Sequence, residues 1–292
     1  MTTDPDGSLQ SGLSAAAAAI EDASWSICIR RPDGSRWAEV NADDALPTAS
    51  VGKILLLAET ARQIEGDARL RTLPLSRDLS EPVGEAGLWQ QMTAESLSVI
   101  DVVGLVSTLS DNLATNVLLA QIGLPAVQSL TRSLGLEQTA LLDRVRRQRR
   151  PEDPPHLSVG NARELSRIVA AIDRDELISP TVSGLLRTWL VGNADLSMVL
   201  SAFGLDPLAH RTPDRGLTAW NKTGSDPGTR VDIGSVHFQD RGLSYAAIAR
   251  WPVERDDLHD VVLDQLRAIG GVLRRHLETP ARTQRHDPSE RR

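Results

Sequence analysis

The sequence predicts an α+β fold in which an antiparallel sheet with flanking helices is formed by the two terminal regions of the chain. Two observations lead to this prediction. Alternating apolar and polar residues, the pattern of half-buried strands, occur at 25–31 and 37–40 and recur after residue 216. The residues between these regions carry mostly helical patterns. An inserted all-helical lobe is therefore expected between the two parts of a sheet-based lobe.

The expected elements follow from local patterns. An Asp-Gly turn at 32–35 joins the first two strands and is typical of a hairpin. The expected strands are 25–31, 37–40, 217–223, 230–239 and 243–251. The expected helices are 8–22, 51–64, a region from 98 to 123 interrupted at 110–112, then 125–134, 161–172, 179–190 and 258–277. We assign the start and first helix to 1–23, the sheet lobe to 24–48 and 205–278, the helical lobe to 49–204 and a disordered tail to 279–292.

Composition narrows the classes of function. The 292 residues are 40% hydrophobic and 24% charged, and the net charge of −7 argues against a large nucleic-acid-binding surface. No window approaches the roughly 18 apolar residues of a membrane span. The histidines show no metal-ligand spacing, so no metal and no other cofactor are expected.

The single cysteine and the start of the chain indicate the cellular compartment. Cys28 excludes an intramolecular disulfide, fits a reducing compartment, and is interpreted as a small core residue. The first residues lack a positively charged segment, and the apolar stretch at 15–20 is too short for a signal peptide. We therefore expect a cytoplasmic protein, and we expect it to be a monomer.

Three short motifs follow one another along the chain. They are Ser50-Val51-Gly52-Lys53, Ser110-Asp111-Asn112 and Lys222-Thr223-Gly224. Each alone has a structural explanation, as a helix cap, a helix break or a strand end. Their order, each in a suitable predicted context, instead indicates a serine-nucleophile acyl-transfer site.

The catalytic candidates come from all three motifs. Ser50 and Lys53 are three residues apart on one helix face, so the Lys53 amine is placed to orient the Ser50 hydroxyl or accept its proton. The Ser50 N–H at the helix N-terminus is one candidate oxyanion donor, and the Ser225 N–H is the second. Ser110 is a candidate proton relay to a leaving nitrogen.

Substrate binding is assigned to neighbouring polar residues. Asn112 suits a hydrogen bond with a substrate amide, and Lys222 supplies positive charge for a substrate carboxylate. Thr223, Gly224 and Ser225, which follow Lys222, complete this set. The expected partner is thus a small molecule that contains an amide or ester bond.

The motifs and their surroundings resemble the class A β-lactamases and the penicillin-recognising serine hydrolase family, whose signature is S-x-x-K, S-D-N and K-T-G. Residues 97–119 resemble the family's helix–SDN–helix passage, and the resemblance covers roughly 24–275. It implies an α/β lobe with a five-stranded antiparallel sheet, an α lobe, and a site between them. It marks Ser50, Lys53, Ser110 and Lys222 as catalytic and Arg230 as a second carboxylate-binding cation.

One departure from the family concerns the residue that activates the deacylating water. The family has a Glu there, shortly after an Arg of the omega loop. Here 142–144 match the opening of that loop, which puts Arg146 where the Glu belongs. Two interpretations stay open: Arg146 is a surface cation on a mobile loop, or the alignment is shifted and Glu152 is the base.

Three functions are compatible with these residues. The first is a serine hydrolase of class A β-lactamase type, acylated by β-lactams and slow to deacylate. The second is a cytosolic esterase, amidase or acyltransferase that uses the same machinery. The third is a β-lactam-binding protein with little turnover. The resemblance favours the first, whereas the missing Glu and the lack of an export signal pattern favour the other two.

Overall fold

A five-stranded antiparallel sheet organises the fold, as the resemblance implied. The computed structural model describes residues 5–80 and 83–278. The strands are β1 Ser24–Arg30, β2 Arg36–Val40, β3 Leu46–Pro47, β4 Pro74–Ser76, β5 Ser96–Ser98, β6 Ala140–Leu141, β7 Ser158–Gly160, β8 Leu217–Asp226, β9 Thr229–Phe238 and β10 Arg241–Arg250. The main sheet has the order β2-β1-β10-β9-β8, so β8 lies at one edge. The predicted disordered tail, 279–292, lies outside the described residues.

The helices lie close to their predicted positions. They are α1 Pro5–Ala18, α2 Lys53–Gly66, α3 Val99–Leu109, α4 Asn112–Ile122, α5 Leu124–Ser133, α6 Ala162–Asp173, α7 Pro180–Leu190 and α8 Leu258–Glu278. The largest difference is at α1, which was predicted at 8–22 and begins and ends three to four residues earlier. Helix α2 begins at Lys53, after a separate 3-10 turn at Ala49–Gly52.

The two faces of the sheet pack against different helices. Because successive side chains of a strand point to opposite faces, Ile27 and Ile29 of β1 pack with α1 and α8, whereas Cys28 packs with α6 and the helical lobe. Cys28 is fully buried, as its apolar surroundings in the sequence predicted. The sheet is thus covered on both sides, and its β8 edge is left to face the site.

One segment departs from the predicted lobe boundary. The sequence analysis placed 49–204 in the helical lobe, but Met198, Val199 and Phe203 belong to the core formed by the sheet, α1 and α8. The segment carries a 3-10 turn at Val199–Phe203 that packs on α8. Its irregular pattern in the sequence gave no sign of this packing, which depends on close approach to Gly270 of α8.

No single described helix is long and apolar enough to cross a membrane. The helices α4 and α5 reach that composition only together, and they are bent by 80° at their junction.

A buried carboxylate ties α6 to three strands of the sheet. Asp173, the last residue of α6, accepts hydrogen bonds from Trp220 Nε1 on β8 at 2.9 Å and from the hydroxyl of Ser235 on β9. His237 Nε2 lies 3.2 Å and Ser244 Oγ 3.4 Å from the same carboxylate. Because several buried donors depend on one acceptor, its loss leaves them unsatisfied.

Replacing Asp173 by Asn turns one acceptor oxygen into a donor that faces other donors. We expect Asp173→Asn to lower the free energy of unfolding by about 1–3 kcal/mol. The matched control is Asp175→Asn, because Asp175 forms a partly exposed ion pair with Arg187, and such pairs contribute less than about 1 kcal/mol. Urea denaturation measures both variants. Equal losses would show that the buried network does not join α6 to the sheet.

Candidate active site

Ser50 lies in the 3-10 turn Ala49–Gly52, directly before α2. The residue before it, Ala49, has φ of 46°, in the left-handed region that residues with a Cβ avoid. Such a backbone conformation costs about 1–3 kcal/mol and persists only when neighbouring contacts impose it. The strain therefore sits immediately next to the candidate nucleophile.

The contacts that impose this turn come from β7, the strand that follows the omega loop. Ser158 Oγ donates a hydrogen bond to Ala49 O at 2.6 Å, so the Thr48 hydroxyl, 2.7 Å from Ser158 Oγ, is the donor in that pair. The Thr48 N–H also donates to Ser158 O at 3.1 Å. Both side chains are completely buried. Ser158 thus positions the turn that presents Ser50.

Ser110 lies in the break between α3 and α4, with a left-handed backbone (φ 56°). The next residue, Asp111, holds this break in place. Its buried carboxylate accepts from the N–H groups of Leu88 at 2.7 Å, Trp89 at 2.8 Å and Ala114 at 2.9 Å. Asp111 therefore caps α4 and anchors the preceding loop, and the hydroxyl beside it is held in a fixed place.

The Lys53 amine is held by the second motif. Lys53 Nζ donates to Ser110 O at 2.6 Å and to Asn112 Oδ1 at 2.9 Å, and it lies 3.2 Å from Ser110 Oγ. Within the described residues it has no hydrogen bond with Ser50 Oγ, although the two residues belong to one helical turn. Catalytic hydrogen bonds are often long before substrate binds, so this arrangement is compatible with a base role.

Lys53 is completely buried, and no carboxylate of the described residues forms an ion pair with it. Burial, reinforced by the charge of Lys222, holds the pKa of Lys53 well below its usual range, and Asp111 opposes this shift. A neutral amine has two N–H donors and one lone pair. In the neutral form of Lys53 the carbonyl oxygens of Ser110 and Asn112 would take the two donors and leave the lone pair for a hydroxyl proton.

Lys222 reaches the same hydroxyl from the sheet. Its Nζ lies 3.0 Å from Ser110 Oγ and 2.9 Å from Thr223 O. Burial lowers the pKa of Lys222 to about 8, and the carboxylates of Asp195 and Asp232 limit the shift. At pH 7 Lys222 is therefore mostly an ammonium.

Gly224 brings β8 against the turn that carries Ser50. A Cβ at this position would lie 2.5 Å from Thr48 O, 3.0 Å from Val51 N and 3.1 Å from Ser50 N. Only glycine permits this approach, because all three neighbours are backbone atoms. Since β8 is an edge strand, half of its N–H groups point away from β9. The candidate oxyanion donors on Ser50 and Ser225 thus belong to segments in contact.

Arg230 lies at the end of the β8–β9 hairpin, directly opposite Ser225 in the register. Both residues line a cavity of about 430 Å³. By strand alternation Arg230 and Lys222 project from opposite faces of the sheet. The two cations therefore flank the end of β8, with Lys222 on that strand and Arg230 on β9, and Thr223, next to Lys222, is buried.

The omega loop corrects one interpretation of Arg146. Instead of being a free surface cation, Arg146 binds the buried carboxylate of Asp143 at 2.7 Å and that of Asp153 at 3.1 Å. Arg149 also binds Asp143 at 2.7 Å. Asn116 of α4 pairs reciprocally with the backbone of Val145, at 2.8 and 2.9 Å. Ion pairs within the loop hold its central part in place, and the side-chain amide of Asn116 attaches the loop to the helical lobe.

Glu152 is not brought to the site. Its side chain is 68% exposed, and its carboxylate lies 3.9 Å from the exposed guanidinium of Arg150. The loop's other two acids, Asp143 and Asp153, are both engaged by arginines. In this conformation none of the three acids of the loop is a free base beside Ser50.

Sequence reasoning missed one contributor, Ser158, which is more than a hundred residues from Ser50 and is marked by no local pattern. It also passed over one signal in the composition. The chain contains only two lysines, Lys53 and Lys222, and its other thirty basic residues are arginine. A lysine amine can lose its proton, which an arginine guanidinium does not do in proteins, so both lysines suit proton transfer. Among the described residues no group of three or more potential ligands is placed to hold a metal ion.

The contact at Gly224 generates a prediction. In Gly224→Ala the new Cβ forces the backbone of the Ser50 turn away from β8. A displacement of about 1 Å can cost about a hundredfold in rate. We expect the rate of Ser50 labelling by a fluorescent penicillin to fall by a factor of this order. The control is Gly184→Ala, where a Cβ meets no atom within 4 Å. Unchanged labelling of Gly224→Ala would show that the approach is not needed.

Comparisons with known proteins show similarity over most of the chain. The model of the beta-lactamase enzyme family matches residues 9–258. A beta-lactamase from Streptomyces albus G is 26% identical over 243 residues, which cover 80% of this chain and 74% of that relative.

Two solved structures share the fold. The class A beta-lactamase from Mycobacterium abscessus superposes with a TM-score of 0.75 at 19% identity, covering 91% of this chain and 98% of the other. A PBP-A variant, solved as an acyl-enzyme complex with penicillin G, gives a TM-score of 0.72 at 20% identity, with coverage of 93% and 95%. The family match over most of the chain shows that this protein belongs to the beta-lactamase enzyme family.

Proposed function

We propose that Ser50 forms an acyl-enzyme with β-lactams and that this adduct is released slowly. The observation that carries the proposal is the Ser110 hydroxyl, which lies 3.2 Å from Lys53 Nζ and 3.0 Å from Lys222 Nζ. This hydroxyl lies in a row between two buried amines next to the Ser50 turn, and we assign the neutral form to Lys53, whose pKa burial lowers most, and the ammonium to Lys222. Such a row can carry a proton away from a nucleophile and towards a leaving group.

Acylation follows from this row. The lone pair of Lys53 takes the proton of Ser50 Oγ as that oxygen attacks the lactam carbonyl. The N–H groups of Ser50 and Ser225 stabilise the oxyanion that forms. When the carbon–nitrogen bond of the ring breaks, Ser110 gives its proton to the nitrogen and regains one from the protonated Lys53 amine. The products are an ester on Ser50 and the restored neutral amine.

Recognition of an anionic substrate is assigned to the two cations at the end of β8. Lys222 is an ammonium at neutral pH, and Arg230 is always charged. Asn112, whose Oδ1 accepts from Lys53, keeps its amide group oriented by a second bond of 3.1 Å from Nδ2 to Val83 O. The proposed substrate is therefore an amide or lactam that carries a carboxylate.

Slow deacylation is inferred from the omega loop. A base must hold a water against the ester carbonyl, and a guanidinium has no acceptor for this purpose. Arg146 is moreover committed to Asp143 and Asp153, and Glu152 is exposed. The similarity to a PBP-A structure solved as a penicillin acyl-enzyme supports a β-lactam-binding role as the second candidate. In that role Ser50 would be acylated in the same way, but the acyl-enzyme would hardly be hydrolysed.

The lifetime of the adduct tests the proposal. General-base assistance typically supplies about 10²–10⁴-fold, and typical enzymes turn over at about 10 s⁻¹. Its loss predicts a penicilloyl-enzyme half-life between roughly 10 s and 10 min. We expect intact-protein mass spectrometry after benzylpenicillin treatment to show one adduct that decays on this timescale. Ser50→Ala should carry no adduct.

Two results would contradict this reading. An adduct on Ser50→Ala would remove the nucleophile assignment. Clearance within seconds that is lost in Glu152→Gln would show that the loop rearranges and that Glu152 serves as the base. Rapid hydrolysis of neutral p-nitrophenyl esters without any penicillin adduct would instead favour the esterase.

The pKa of Lys222 predicts a pH dependence. Lys222 is charged below its pKa of about 8 and neutral above it. We expect kcat/KM for an anionic β-lactam to fall as pH rises through about 8, because the free enzyme loses a carboxylate-binding charge. A neutral ester with a phenolate leaving group should keep its rate.

The variant Lys222→Ala distinguishes two roles of this amine, binding the substrate carboxylate and acting on Ser110. It should weaken kcat/KM for the anionic substrate by about tenfold or more, in line with about 1.5–3 kcal/mol for a charged hydrogen bond. Its rate should no longer fall near pH 8. A parallel loss with the neutral ester would show that Lys222 acts mainly on Ser110.

A further inference from the structure

The cavity at the end of the β8–β9 hairpin contains a residue that neither the motifs nor the proposed mechanism uses. This cavity of about 430 Å³ is lined by Ser225 and Arg230, by Trp251, and by His259 near the start of α8. His259 is 38% exposed in its side chain, so its ring is accessible to protons. The cavity joins the candidate oxyanion donor, the candidate carboxylate cation and a titratable ring.

Arg230 is held from several sides. Its Nη1 donates to Thr229 O at 2.7 Å and to Asp226 O at 3.0 Å, and its Nη2 lies 2.6 Å from His259 Nε2. Its Cζ is 5.9 Å from the centre of the Trp251 ring. Three of the five N–H donors of a guanidinium are thus occupied by protein atoms, and two are left for a substrate anion.

The contact between Arg230 and His259 determines the state of the imidazole. A guanidinium has only donors, so His259 Nε2 must accept, and it must carry no proton. The ring proton is then on Nδ1, which donates to Asp260 Oδ1 at 2.8 Å. A protonated ring would direct an N–H at the guanidinium from 2.6 Å and set two cations side by side. The observed position of Arg230 therefore requires neutral His259.

We infer that His259 is a positioning residue for Arg230: its neutral form holds the guanidinium beside Ser225, and its protonation releases it, so that anionic substrates are bound poorly in acid. The inference rests on the proposed carboxylate-binding role of Arg230. It adds a residue outside the three motifs and a pH range in which the site is competent.

Charged groups of both signs lie around the cavity. Its lining includes Asp226 on β8, Arg230 on β9 and Asp256 before α8, and Asp260 of α8 accepts from Nδ1 of His259. Asp195, before β8, acts on the charge of Arg230, and Arg250 of β10 binds Pro227 O of the hairpin. On the far side of the hairpin, His156 and Arg149 of the omega loop face Asp226. The residue responsible for the loss of anionic-substrate binding in acid must therefore be identified by substitution.

The first experiment reads the ring without any substrate. Two-bond ¹H–¹⁵N NMR spectra of the ¹⁵N-histidine protein report the tautomer of each imidazole. We expect His259 to be the neutral Nδ1–H tautomer at pH 7.5. The Nε2–H tautomer, or an imidazolium at that pH, would overturn the inference whatever the enzyme's activity.

The second experiment measures the rate of Ser50 acylation by benzylpenicillin between pH 5 and 8, the range in which imidazoles change charge. We expect kcat/KM to fall about tenfold or more in acid beyond the loss seen with a neutral p-nitrophenyl ester, since one charged hydrogen-bonding partner is lost. The extra loss should appear in KM.

Two matched substitutions identify the residue responsible for that loss. His259→Gln puts a carbonyl oxygen, which accepts at every pH, near the place of Nε2, so the acid step, the extra fall of kcat/KM for the anionic substrate in acid, should vanish. His156→Gln makes the same change on the other side of the hairpin, and the acid step should remain in this variant. A step that survives in His259→Gln or vanishes in His156→Gln would overturn the inference. If Ser50 is never acylated, the proposed function fails, and the NMR result alone decides the role of His259.

Discussion

One hydroxyl oxygen between two buried amines is the constraint on which the site depends. Ser110 Oγ lies within 3.2 Å of both Lys53 and Lys222, and neither amine forms an ion pair with a carboxylate within the described residues. Burial of both amines and the repulsion between two ammonium groups on one hydroxyl favour the neutral form of one amine, and the pKa of Lys53 is lowered by both effects. The two carbonyl acceptors around Lys53 are satisfied by a neutral amine. Lys222 faces Asp195 and Asp232, which stabilise its charge.

The rest of the architecture holds these three groups in place. Asp111 fixes the left-handed break that carries Ser110, using three backbone N–H groups. The sheet delivers Lys222, and the absence of a side chain at Gly224 lets β8 approach the turn of Ser50. Ser158 holds the strained residue before Ser50. The site is thus assembled from both lobes, and the backbone strain next to the nucleophile is maintained by buried hydroxyls at the end of the omega loop.

Much of the fold and the core of the site could be predicted from local patterns. Strand alternation and helical periodicity located the sheet and most helices, and the three motifs indicated which residues would meet. The structure brings Lys53, Ser110, Asn112 and Lys222 into direct contact. What could not be predicted depends on contacts between distant residues. Ser158 and Arg146 are examples, since no local pattern shows which backbone or carboxylate each will bind. The segment at Val199–Phe203 joined the sheet lobe for the same reason.

The central claim is that Lys53 is neutral and Lys222 charged in the resting protein. Because the chain contains only these two lysines, protein labelled with ¹⁵N at the lysine Nζ should give two side-chain resonances, assigned with Lys222→Arg. The account predicts an amine shift for Lys53 at pH 7 and an ammonium shift for Lys222 that titrates at about pH 8. Two ammonium resonances at pH 7, or a neutral Lys222 beside a charged Lys53, would contradict it.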